Sequence, residues 1–143
     1  MVHSLQKLVN YQLEVVVVET IKRIDISTTV NPILQEYVLA MLSTGRVNPD
    51  AVMRERLRKL SEGLDEEYFM LSEAGEEESL WSAKFKAARI AFALSEISQG
   101  VRLETIADFI YEMAHAHDSP EKFLEEIENL VGQIASGNAG SRT

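Results

Sequence analysis

Residues 76–99 read EEESLWSAKFKAARIAFALSEISQ, and no other part of the chain constrains the architecture as strongly. Three glutamates at the start complement a helix dipole, and Trp81, Phe85, Ala88 and Phe92 recur at three- and four-residue spacing. The middle, AARIAFAL, is apolar almost all round, and Ser82, Lys86, Arg89 and Glu96 form one narrow polar stripe. Ala83, Ala87, Ala88, Ala91 and Ala93 leave room for neighbouring backbones. A helix of this kind belongs inside a bundle, with other helices on several sides.

Helical periodicity extends outward from it. Leu103, Ile106, Ile110, Met113 and His117 share a face over 102–117. Ser119 and Pro120 then open a last helix with Phe123, Leu124, Ile127, Leu130, Val131 and Ile134 inward. Upstream, Asn31 and Pro32 start a helix that carries Leu34, Tyr37, Val38, Met41 and Leu42 and closes at Gly45. Asn48 and Pro49 repeat that start signal for a basic helix over 49–62, running through Val52, Met53, Leu57 and Leu60 to Gly63. A short helical segment over 65–74 follows, ending at Gly75.

The first helix spans 4–25 and is expected to pack along 76–99. Its weak point is the run Val15, Val16, Val17 and Val18, because four β-branched residues in a row favour a strand locally. No second strand candidate exists to pair with it, so helix is the reading adopted, with a short buried strand over 13–18 as the alternative.

The expected fold is therefore all-α: a single-domain bundle of about six helices over 1–135, with 76–99 central and a flexible tail over 136–143. At 143 residues, with 45% apolar and 26% charged content, the chain can bury one sizeable core and lies outside the composition of disordered proteins.

Composition also narrows the chemistry. The chain has no cysteine, which removes disulfides, thiolate metal sites and a cysteine nucleophile. No apolar run approaches a membrane span and no secretory leader is legible at the start, which together read as a cytoplasmic protein. The net charge of -9 disfavours nucleic acid as a partner. No nucleophile elbow or glycine-rich phosphate loop can be written, so the sequence implies no cofactor.

Three constellations remain. Glu112 and His115 have the spacing of helix-borne metal ligands, with His117 and Asp118 just after them. Helix phase, however, turns Glu112, His115 and Asp108 toward water and His117 toward the apolar face, and His3 is the only other histidine. Second, the helices on either side of Gly45 have helix-turn-helix lengths, and Arg54, Arg56 and Arg58 would face phosphates. The turn over 43–49 is long for that motif. Third, the basic residues Arg46, Arg54, Arg56, Arg58 and Lys59 precede a stretch, 62–78, with eight acids and no base. That asymmetry suits a protein partner, most simply a second copy of the chain, with Tyr68, Phe69 and Trp81 beside the charged segments either at an interface or filling one end of the core. The reading carried forward is a non-enzymatic interaction or regulatory domain that self-associates, with a metal-dependent bundle enzyme and a DNA binder as alternatives. No motif is specific enough to suggest a family.

Overall fold

The computed structural model describes residues 2–23, 31–47 and 49–137. Within them lie a single helical turn, α1 (Val2–Leu5), and six longer helices: α2 (Asn10–Lys22), α3 (Pro32–Thr44), α4 (Ala51–Glu73), α5 (Glu78–Ile97), α6 (Leu103–His115) and α7 (Pro120–Ala135). No strand occurs among the described residues. No helix among them is long and apolar enough to cross a membrane. Asn48, Ile24, the side chain of His3 and the tail beyond Gly137 lie outside the described residues.

α5 packs against α4 on one side and α6 on the other, as its all-round apolar middle requires. Ala87, Ala88, Ala91, Ala93, Leu94 and Ile97 are buried. Close approach is visible where Ser61 of α4 donates its hydroxyl to the Ala88 carbonyl at 3.1 Å, a bond that only small side chains on both helices allow. α7 is inward along the row Phe123, Ile127, Leu130, Val131 and Ile134, and α6 along Ile106, Ile110 and Met113, as their periodicity demands.

The first helix differs from the sequence expectation. Instead of one helix over 4–25, the chain turns after Leu5 and restarts at Asn10, where the Val9 amide donates to Gln12 Oε1 at 3.0 Å. Leu5 and Leu8, on either side of the turn, are both buried. The valine run is helical. Val16 and Val17 are fully buried and Val18 nearly so, and burial overrides local strand preference. The principal neighbours of α2 are α3, α6 and α7 rather than α5. Gln12 Nε2 reaches the Ile134 carbonyl of α7 at 3.3 Å.

A second difference concerns Gly63. Gly45 ends α3 in the left-handed region (φ 67), but Gly63 ends nothing, and α4 runs through it, 23 residues in all. The reason is the uninterrupted inner row Leu57, Ser61, Leu64, Tyr68 and Leu71, which packs on α5 across the glycine and outweighs its helix cost of about 1 kcal/mol. The expected short helix over 65–74 is thus the second half of α4. Its cap is Asp50, whose Oδ1 accepts from the Val52 and Met53 amides, so the Asn48 and Pro49 signal falls just ahead of the true start. Val52, taken from sequence as part of the inner stripe, points outward and is 72% exposed.

α3 is tied to the end of α5 by the Tyr37 hydroxyl against Ser98 Oγ at 2.8 Å. The Asp50 amide donates to the Ser98 carbonyl at 3.2 Å, which anchors the start of α4 at the same point.

Candidate interaction surface

The polar stripe of α5 does not face solvent alone; it lies in the seam that α5 makes with α4 and α6. Arg89 is its hub. One guanidinium nitrogen donates to Asp65 of α4 at 2.6 Å and another to Glu112 of α6 at 3.1 Å, so a single side chain ties three helices together. The guanidinium also lies 5.7 Å from the Phe85 ring centroid and 5.9 Å from that of Phe92. Lys86 pairs with Asp118, which holds that exposed carboxyl below its ordinary range. Glu96 is pushed the other way: burial raises its pKa and Asp108 adds to this, Arg54 and Arg58 oppose, and Glu112 contributes a smaller rise.

This network fixes the place of the metal candidates. Glu112 is turned into the seam, with its side chain 16% exposed and held by Arg89, and does not face water as helix phase suggested. The difference arises because α6 packs on α5, where Arg89 reaches Glu112 directly. His115 is exposed, its Nδ1 within 2.8 Å of the Tyr111 carbonyl and its ring 4.3 Å from the Tyr111 ring. His117 lies beyond the end of α6; it is exposed, but its ring is 5.4 Å from that of the buried Phe123, and its Nδ1 accepts from the Ser119 amide at 3.2 Å. Among the described residues no three histidine or acidic side chains converge as metal ligands would.

The basic residues divide between two sides of α4. Arg54 is half-buried with its Nε unpartnered, and it and Arg58 lie near enough to Glu96 to favour its charged form. Arg56 and Lys59 are on the far side, exposed, with no hydrogen-bond or ion-pair partner among the described residues. Of the aromatic residues, Tyr68 has its ring 5.7 Å from Trp81 and 5.3 Å from Phe85, a cluster packed between α4 and α5. Phe69 touches Tyr68 at 5.1 Å but is itself 60% exposed.

Met70, which sequence reading did not single out, and Val52, which it assigned to the inner stripe, complete the outer side of α4. Met70, 71% exposed, and Val52 are the most exposed large hydrophobic residues of the described structure. The periodicity that would have linked them was hidden by the assumed helix end at Gly63. The depressions elsewhere are open: one of about 430 Å³ is lined by Leu5, Leu8, Leu13, Val101 and Arg102, and it gathers no convergent set of acids, bases or nucleophiles.

Comparison of the chain with protein-family models, curated proteins and solved structures gives no match in any of the three.

Proposed function

We propose that the chain is a non-enzymatic association domain that pairs with a second copy of itself through the outer side of α4. The observation that carries this reading is the placement of Val52 and Met70 on one exposed line of a helix whose first half is basic and whose second half is acidic. An exposed apolar pair bracketing unpaired charges is the composition of a small polar interface. Against the metal reading stands the engagement of Glu112 by Arg89, and against the nucleic-acid reading stands the net charge of -9, with Arg54 half-buried on the opposite side of α4 from Arg56.

Sedimentation equilibrium across a concentration series tests the proposal. The expected mass exceeds the 16.1 kDa monomer at high micromolar protein and falls as salt is raised, since exposed charge pairs are screened. A mass that stays monomeric throughout overturns it. Duplex DNA binding lost on changing Arg54, Arg56 and Arg58 to glutamine would favour the nucleic-acid alternative instead.

A further inference from the structure

The outer line of α4 has a regular spacing. Val52, Arg56, Lys59, Gly63, Glu66 and Met70 follow one another at intervals of four and three residues, the repeat that keeps one seam of a helix facing a partner helix. All are exposed. Arg56, Lys59 and Glu66 have no partner within the chain among the described residues, whereas Asp65 of α4, Arg89 of α5 and Glu112 of α6, in the seam between the helices, are paired.

The line is symmetric about the level of Ser61 in a way that selects one arrangement. Val52 and Met70 are equally far from that point, as are Arg56 and Glu66, and as are Lys59 and Gly63. Resting on the self-association proposed above, we infer that two copies pair α4 against α4 antiparallel, about a two-fold axis on the outer side at the level of Ser61. Val52 of each copy then meets Met70 of the other. Arg56 meets Glu66, and the aliphatic stem of Lys59 lies across Gly63. A two-fold axis makes each contact occur twice, which is what a self-complementary patch requires. A parallel pairing would set Arg56 on Arg56, Lys59 on Lys59 and Glu66 on Glu66, and like charges exclude it.

Gly63 acquires a use here that the monomer does not give it. A Cβ at this position would meet nothing within 4 Å, so no neighbour in the chain demands a glycine, and its φ is not in the left-handed region. At the centre of an antiparallel pair it lets the facing backbones approach with a long side chain laid between them.

The test is a charge exchange read by sedimentation at fixed salt. Arg56→Glu alone and Glu66→Arg alone should each weaken the dimer by about tenfold or more, since each creates two like-charge contacts. The double variant Arg56→Glu with Glu66→Arg should recover to within about threefold of wild type, because exchange restores both pairs across the axis. Both positions are exposed, and unchanged circular dichroism verifies that the variants fold. A wild-type dimer indifferent to the single changes, or not rescued by the double, overturns this arrangement and leaves self-association standing. A monomeric wild type overturns both. The cysteine-free background allows a second reading: Val52→Cys mixed with Met70→Cys should form a disulfide-linked pair under mild oxidation. Faster linkage of Val52→Cys to itself contradicts the antiparallel geometry.

Discussion

Replacing Ala88 with leucine tests the close contact between α4 and α5 directly. Ala88 has no exposed surface, and its carbonyl accepts the Ser61 hydroxyl at 3.1 Å. A leucine adds three carbon atoms where there is no space for them, so α4 must shift outward or the side chain must leave its rotamer. Overpacking of this kind costs about 1 to 3 kcal/mol. Moving the helices apart also strains or breaks the buried Ser61 bond, adding roughly 1 kcal/mol, for a total of about 2 to 4 kcal/mol. Ala83→Leu on the same helix is the control, because Ala83 is exposed and the two substitutions have the same intrinsic helix cost. Urea unfolding followed by circular dichroism, with the slope checked for constancy, gives both values. Fluorescence of the single tryptophan, Trp81, reports the α4–α5 contact separately. If the two variants differ by less than about 0.5 kcal/mol, within the scatter of ordinary surface changes, the close-packing argument is refuted.

Arg89→Ala should lose about 2 kcal/mol in the same assay, less than a fully buried pair would lose because the seam is partly open to water, since it strands both Asp65 and Glu112. Lys86→Ala should stay near wild type, its partner Asp118 being 85% exposed; equal losses in the two variants would deny Arg89 its role as hub. Glu96 has a folded-state pKa above its ordinary 4.5, so the folded state holds its proton more tightly and its contribution to stability falls as pH rises from 4.5 through the folded value. Glu96→Gln should therefore gain stability relative to wild type across that window, measured as unfolding free energy at a series of pH values. A relative loss above pH 4.5 would mean that Arg54 and Arg58 outweigh burial and the Asp108 and Glu112 charges.

Much of the fold was legible because periodicity and turn residues agree. α3, α5, α6 and α7 follow their apolar rows closely, and the Asn31 side chain caps α3 as its position before Pro32 implies. What was misread depended on long-range packing. Gly63 is an ordinary stop signal in sequence, and only the continuous inner row from Leu57 to Leu71, matched to α5, carries the helix through it. Gln12 is unremarkable until the Val9 amide needs an acceptor at a helix start. The same limit applied to the surface. The polar stripe of α5 was visible, but its meeting with Asp65 and Glu112 requires three helices to be placed first. Splitting α4 in two also concealed the line from Val52 to Met70, since neither half alone contains enough of it to show a repeat.

The link between Gln12 and Ile134 joins positions 122 residues apart, whereas α4, α5 and α6 are consecutive and joined by short turns. Loop-closure entropy grows with the logarithm of the separation, so bringing α2 onto α7 costs about 3 kcal/mol more in chain freedom than closing the turn between α4 and α5. The middle helices accordingly have the cheaper nucleus, and assembly is expected to proceed outward from them. On that order the N-terminal helices would be the last to dock and the first to leave. Their detachment would uncover the inner rows of α6 and α7 while the α4–α5 pair, and the outer line it carries, stays intact.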